Sequence, residues 1–324
     1  MKILAMPADK TGCAYFRMAL PLNALKLAGG HTLATGGVYD VRNFDIMVGQ
    51  RVCRPEVSEE WQRLAAHKSR DYRMVFELDD DLWHIDPLNT MAYEYFHRGK
   101  LNRMAENIRV SDLVTVSTEV LADWVYQWNT NVIVLPNMID GAMLHHQPVR
   151  PTAFVAGFGG SASHSVDWKF CGKGISRFLR QNKDAWLMFV GSEFSEYISK
   201  DVWPQLVFSQ WAETVQSYYR KMKFTVGVAP LAPSLFNQSK SDLRILECSA
   251  LGIPMVASDY EPYLPWKDAV LFAHNEADWA RQLRAMKNDP DMRTELAAKG
   301  KAIAATRTIN GHWQDWEDAY QSVL

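Results

Sequence analysis

Residues 224–263 constrain this chain more than any other stretch: FTVGVAPLAPSLFNQSKSDLRILECSALGIPMVASDYEPY. The β-branched apolar run Phe224–Val228 predicts a buried strand, and Pro230 and Pro233 predict a turn after it. A polar loop over Asn237–Ser241 then opens a segment with apolar residues at Leu243, Leu246 and Ala250, a helical spacing. Gly252 and Pro254 stop that helix, and Met255–Ser258 predicts a second strand. A strand–loop–helix–strand unit presents free N–H groups and a positive dipole end at the helix start, where anions bind. Lys240 and Arg244 add cationic charge there, and Glu247 lies one turn further along. A cationic helix start followed by a carboxylate suits a diphosphate joined to ribose hydroxyls.

The same alternation runs through the rest of the chain. Strands are expected at 2–6, 45–48, 74–78, 113–116 and 132–135, and helices at 16–27, 56–67, 101–108 and 119–128. A loop over 9–15 carries Gly12. Pro136-Asn137 and the stretch 141–151 read as a boundary. The pattern restarts with a strand at 153–157, a helix near 174–181 and a strand at 186–190, and ends in helices at 279–286, 292–305 and 313–323. Alternating strands and helices imply parallel sheets covered on both faces. At 324 residues the chain has room for two such domains.

Composition excludes several classes. Net charge is −2, so no global attraction to nucleic acid or membrane is expected. The four cysteines form no CxxC pair, which argues against zinc or a disulfide framework and for a reducing compartment. The apolar run at the N-terminus is too short for a signal peptide, and no stretch reaches the ~18 apolar residues of a membrane helix, so a cytoplasmic protein without membrane insertion is expected. GxSxG and GxxxxGK[ST] are absent from the sequence, as is HExxH.

Four further features bear on chemistry. Gly157, Gly159 and Ala162 fit GxGxxA after a strand, which a dinucleotide site would share. Such a site needs an acid about 20 residues on, at the end of the next strand. The first acid beyond that strand is Glu193, 36 residues past Gly157, so close backbone approach to a phosphate is the better reading. Asp79, Asp80 and Asp81 follow a strand, where α/β sites lie; they suit acceptor hydroxyls, a cation, or a capped turn before Leu82-Trp83. Trp211 suits either stacking or the core. Arg98, Lys100, Arg103 and Arg109, behind Tyr93, Tyr95 and Phe96, could hold nucleic acid or form a solvated helix face, and Arg42, Arg51 and Arg54 make a second basic group.

Taken together, the residues of 224–263 resemble the donor-binding motif of GT-B glycosyltransferases, especially the retaining family 4 type: Glu, seven residues, Glu, then a Gly-x-Pro-x-Val-x-Ser strand. Glu247, Gly252, Pro254, Val256 and Ser258 match, while the first Glu falls on Ser239. Only the second glutamate's role, contact with the ribose, carries over, onto Glu247. Gly12 with Tyr15 and Arg17 resembles the family's first glycine-bearing loop, and 111–117 with 134–140 its last strands before the linker. Gly159-Gly160-Ser161 resembles its first phosphate loop, with His164, Asp167 and Lys169 in place of the usual Arg and Lys, as in a divergent bacteriophage and cell-envelope branch.

The resemblance implies two Rossmann-like doubly wound domains facing across a cleft. Residues 1–145 would bind the acceptor and 146–310 the nucleotide sugar, with a terminal helix over 311–324 packing back on the first. It implies transfer of a sugar from a UDP- or GDP-sugar to an acceptor hydroxyl, with retention and no metal or other cofactor. Lys240, Glu247 and Asp80 are the expected catalytic residues. Gly12, Gly159, Gly160, Ser161, His164, Trp211, Ser239, Ser241 and Arg244 would hold the donor, and Tyr15, Arg17, Asp79 and Asp81 the acceptor. A hydroxymethylated base in phage DNA is one acceptor; a cell-envelope glycan or a protein is another. A NAD-dependent oxidoreductase and an inactive sugar-nucleotide binding protein are the competing classes. Oligomeric state is left open.

Overall fold

A computed structural model describes residues 1–10, 12–146 and 148–324, with only the backbone at Tyr39. The chain divides into two compact units, one of 1–140, 239–241 and 307–324, the other of 141–238 and 242–306.

The first unit is built on a six-stranded, all-parallel sheet in the order β2-β1-β3-β4-β5-β6. Its strands are β1 (Lys2–Met6), β2 (Thr32–Thr35), β3 (Ile46–Gln50), β4 (Arg73–Leu78), β5 (Leu113–Val116) and β6 (Val132–Val134). The central strands are buried, as near-continuous apolar runs in a parallel sheet must be. Gly49 in β3 allows the Trp61 ring to lie against the strand: a Cβ would sit 2.4 Å from it. The first loop is shorter than expected. Helix begins at Gly12–Ala14, passes through a π-helical turn over Tyr15–Ala19, and continues as Leu20–Ala28. Thr11, within the expected loop, and Gln147, within the expected boundary, lie outside the described residues.

The chain's last helix, Ile309–Gln321, belongs to this unit and packs on Leu20–Ala28. His31 Nε2 lies 2.5 Å from Glu317 Oε1, and Arg73 Nε donates to the Val323 carbonyl at 2.6 Å. Ile139 pairs with Thr308 in a short parallel bridge.

The second unit has its own parallel sheet, ordered β12-β11-β10-β7-β8-β9. The strands are β7 (Phe154–Gly160), β8 (Ala185–Gly191), β9 (Leu206–Ser209), β10 (Val226–Ala229), β11 (Met255–Ser258) and β12 (Val270–Ala273). The helix after β7 spans Ser165–Gln181, longer than its apolar spacing suggested, and packs on Glu276–Asn288. Gly174 permits that contact, since a Cβ there would meet the Glu276 carbonyl oxygen at 2.0 Å. Two parallel six-stranded sheets with helices around them make this a GT-B-type α/β fold.

Candidate functional site

In the first unit, polar residues gather at the C-terminal ends of β1, β3 and β4, the end at which open α/β sheets bind ligands. Arg51, just past β3, adopts a positive φ of 48° while its N–H donates to the Glu77 carbonyl at 3.0 Å. That turn aims its guanidinium at two acids: Nη2 bonds Asp9, and Nε lies 3.6 Å from Asp79 Oδ1. Burial opposes the charge on Arg51, yet the Asp79 and Asp9 carboxylates hold its pKa above the usual value. The Asp79 charge, with burial, pushes the Cys13 thiol well up, so it is not a thiolate at neutral pH. Asp80 faces Lys240, with Nζ 3.3 Å from Oδ1.

The expected acceptor residues separate on inspection. Asp79 joins this group. Asp81 is a cap: it accepts from the Trp83 N–H at 3.2 Å and pairs with His84 Nδ1 at 2.5 Å. The capped-turn reading therefore holds for Asp81, and it leaves the acceptor set. Arg17 leaves it too. Its guanidinium is 2% exposed and grips Glu77 at 2.7 and 3.1 Å, the Leu135 carbonyl at 2.5 Å and Asn137 Oδ1 at 3.1 Å. Arg17 is a buried strut beneath the strand ends rather than a residue that meets a ligand. Tyr15 is half-buried in the π-helical turn, and Gly12 opens the helical run.

The basic groups weighed for nucleic acid are largely paired within their own unit. Arg98, just past the helix Thr90–His97, bonds Glu94 on it, and Arg109 bonds Glu106 on its own helix, Lys100–Val110. Arg103 donates to the Cys53 carbonyl, and Lys100 caps the Tyr95 ring.

In the second unit, β7 ends at Gly159-Gly160, and a short turn over Ala162–His164 leads into the helix from Ser165. Asp167 lies in the first turn of that helix, not in a loop. Its Oδ1 accepts from the Ala232 N–H at 2.8 Å and Asn237 Nδ2 at 2.6 Å, and its Oδ2 lies 2.7 Å from His164 Nδ1. His164 Nε2 lies 3.0 Å from Arg244 Nη2. A guanidinium can only donate, so Nε2 accepts and the ring proton sits on Nδ1, facing Asp167; this network assigns a neutral imidazole. His164 was expected to donate to a diphosphate, but its two nitrogens serve Asp167 and Arg244 instead.

Arg244 also stacks on Phe158, with Cζ 4.3 Å from the ring centroid. The glycines before it are required by close approach. A Cβ on Gly160 would lie 2.9 Å from Arg244 Nη2, and one on Gly159 would lie 2.0 Å from the Tyr218 hydroxyl. Ser161 is exposed beside them, its hydroxyl 2.8 Å from that of Ser163. Trp211 is 51% exposed and tilted on Tyr218 at 5.7 Å between centroids, so it is no core tryptophan. Glu247, one turn past Arg244, is buried, and burial pushes its pKa up to about 7 against the pull of Arg244 and a hydrogen bond from Tyr219.

Ser239, Lys240 and Ser241 group with the first unit, although Ser239 and Ser241 are expected among the donor-holding residues and Lys240 among the catalytic ones. The Ser239 carbonyl accepts from Thr118 Oγ1 at 2.8 Å, and Ser241 Oγ accepts from Asn137 Nδ2 at 2.8 Å. The structure thus brings together Lys240 with Asp80 in one unit, and Arg244, His164 and the Gly159–Gly160 turn in the other. Arg51, Asp9 and Cys13 were not foreseen as a group. Among the described residues, no three His, Cys, Asp or Glu side chains are arranged to hold a metal ion, and no helix is long and apolar enough to cross a membrane.

Residues 174–317 match a family model described as glycosyl transferase-like. No curated protein sequence matches. Among solved structures, the Anabaena protein HepE in complex with UDP-glucose superposes with a TM-score of 0.69 at 14% identity, covering 98% of this chain and 100% of that one. Sucrose-phosphate synthase from Thermosynechococcus elongatus gives 0.69 at 12% identity, covering 100% and 99%. TarM from S. aureus, in a complex that includes UDP, gives 0.62 at 15% identity, covering 87% of this chain and 58% of that one. Residues 174–317 thus resemble a glycosyl transferase-like family, and the chain as a whole has the fold of the GT-B glycosyltransferases.

Proposed function

We propose that this glycosyltransferase moves a sugar from UDP-sugar to an acceptor hydroxyl with retention, binding the donor on the second unit and the acceptor on the first. The observation that carries the reading is the Arg244 guanidinium, oriented by His164 against Gly160, with Glu247 one turn on. A planar cation at the mouth of a glycine turn suits a diphosphate, and a carboxylate one turn away suits ribose hydroxyls. UDP is favoured over GDP because the HepE and TarM structures were obtained with UDP or UDP-glucose. Trp211, exposed beside Gly191, offers a face for the uracil.

Departure of UDP builds negative charge on the β-phosphate, and fixed cations lower that barrier. Arg244 supplies that charge on the second unit, and we assign the reaction no metal and no other cofactor. In retaining enzymes of this type the leaving phosphate itself takes the acceptor proton, so no separate base is assigned. Asp80 sets the position of Lys240, and Asp79 receives an acceptor hydroxyl. The work is done in the cytoplasm.

A hydroxymethylated base in DNA is the most specific acceptor; its support is Arg98, just past Thr90–His97, with Lys100, Arg103 and Arg109 on Lys100–Val110. The pairing of those arginines with Glu94 and Glu106 favours a second reading, a small or envelope-type acceptor. Transfer to DNA would fall steeply with salt, whereas transfer to a small glycan would not.

Thermal unfolding with UDP, GDP, ADP, CDP and NAD tests the donor assignment. UDP at about 100 times its Kd adds roughly 2.7 kcal/mol of stability. Stabilisation by NAD alone would sink the reading, and an inverted anomer in the product would sink retention.

A further inference from the structure

We propose that a cavity in the first unit, beside β1, holds the apolar body of an uncharged alcohol, and that this body belongs to the sugar acceptor; the second clause rests on the transferase reading above. The cavity has a volume of about 330 Å³. That is at the lower end of the range for small-molecule sites. Its apolar wall includes Met18 and Leu22 from the helical run and Leu33 from β2, and Lys10, Tyr15 and Asn23 stand among its polar lining. Apolar walls with a few hydrogen-bonding groups are the composition of a small-molecule site.

A second, independent observation points to the same place. The helix bordering the cavity departs from α geometry here: the Leu20 N–H bonds the Tyr15 carbonyl, closing a π turn over Tyr15–Ala19. Single π turns cost helix stability and recur at functional sites. Three of its five residues, Tyr15, Met18 and Ala19, line the cavity. The turn therefore shapes this wall, and the sequence accepts an irregular helix to do so.

Charge decides the class of occupant. Among the described lining residues Lys10 is the one cation, and Asp9, the one anion, already bonds Arg51. A polyphosphate or a nucleic acid backbone would find too little compensating charge. Met18 adapts to a ring or a short chain, and Asn23, Thr35 and Tyr15 offer partners to hydroxyls. The occupant is an uncharged aryl or alkyl glycoside or alcohol.

Binding is tested by titrating the full chain with 4-nitrophenyl β-D-glucoside against methyl β-D-glucoside, which lacks the aryl body, by calorimetry and saturation-transfer NMR. The aryl compound should bind at least tenfold tighter. Ala19→Trp and Thr35→Trp, both at exposed lining positions, fill the cavity from its mouth and should weaken aryl binding at least tenfold while leaving the UDP Kd within twofold. Equal binding of the two glucosides, no saturable binding, or aryl affinity unchanged in both folded variants would overturn the proposal. The titration needs no turnover. If UDP fails to bind while the aryl glucoside binds and the filled variants lose it, the transferase reading fails and the cavity site stands. If UDP binds and only a hydroxymethylcytosine-bearing duplex binds as acceptor, with the filled variants unaffected, the cavity assignment fails alone.

Discussion

Arg244 Nη2 donates to His164 Nε2 across 3.0 Å, and this bond requires a neutral imidazole whose other nitrogen faces Asp167 at 2.7 Å. The carboxylate is fixed by two more donors, the Ala232 N–H and Asn237 Nδ2. A buried acid thus sets the tautomer of a histidine, and the histidine sets the direction of an arginine. Oriented supports of this kind contribute through the group they hold.

Removing the support should loosen Arg244 without removing its charge. His164→Ala is expected to raise the KM for UDP-sugar about 10-fold or more, in the range that outer supports of binding groups typically reach. His164→Gln keeps an acceptor oxygen for Arg244 and should recover part of the loss. The KM and kcat of both variants check this; equal values for Ala and Gln would show that His164 acts only by filling space.

Glu247 gives a separate pH dependence. Its pKa of about 7 lies above the ordinary 4.5 because burial penalises the carboxylate. Ribose hydroxyls donate to the ionised form, so UDP affinity should improve as pH rises through about 7. Glu247→Gln should bind UDP weakly and lose that pH step in a calorimetric series from pH 5.5 to 8.5. Stability moves the other way: a raised folded-state pKa contributes stability fully present below about 4.5 and lost as pH rises through 7. At pH 8 the Gln variant should therefore unfold no earlier than wild type, even though it binds worse.

Gly159 tests the packing of the turn that ends β7. A Cβ there would lie 2.0 Å from the Tyr218 hydroxyl and 2.8 Å from its Cζ. Gly159→Ala should destabilise the second unit by about 1–3 kcal/mol, the usual cost of overpacking. Tyr218→Phe removes the nearest atom, so the double variant should recover part of that loss. Denaturant unfolding of the four proteins in the cycle gives the coupling; strict additivity would mean that the turn relaxes elsewhere.

Much of this architecture was legible because buried parallel strands carry apolar runs. Met74–Leu78 and Met255–Ser258 lie inside their sheets and could be read directly. The edge strands Thr32–Thr35 and Leu206–Ser209 could not, since their residues are mostly half-exposed and neither run nor alternation is clear. The helix Thr90–His97 buries no residue and so lacks an apolar stripe. Around the candidate site, the place of Gly160 at a strand end and of Glu247 within a helix was legible from local spacing. The Asp9–Arg51 pair spans 42 residues and depends on a positive φ at an arginine, neither of which leaves a local pattern. Arg17 misled for a related reason: an arginine beside a glycine-bearing loop looks like a ligand contact until its partner Glu77, 60 residues away, is brought beneath it.

That buried pair allows the two readings of Arg17 to be told apart. Arg17 and Glu77 are both almost fully enclosed, and Thr115 Oγ1 donates to the same carboxylate at 2.7 Å. Replacing Arg17 with Met keeps the volume but leaves Glu77 charged and unpaired in the interior. Breaking one side of a buried pair costs about 3–5 kcal/mol. For a unit of this size that lowers Tm by roughly 6–20 °C. Pairing Arg17→Met with Glu77→Leu removes both charges and should restore most of the loss, because two apolar groups need no compensation. If Arg17 instead met the acceptor, the single variant would keep its Tm and lose acceptor affinity, and the double variant would recover nothing. Scanning calorimetry, with UDP affinity as a control on the second unit, separates these outcomes.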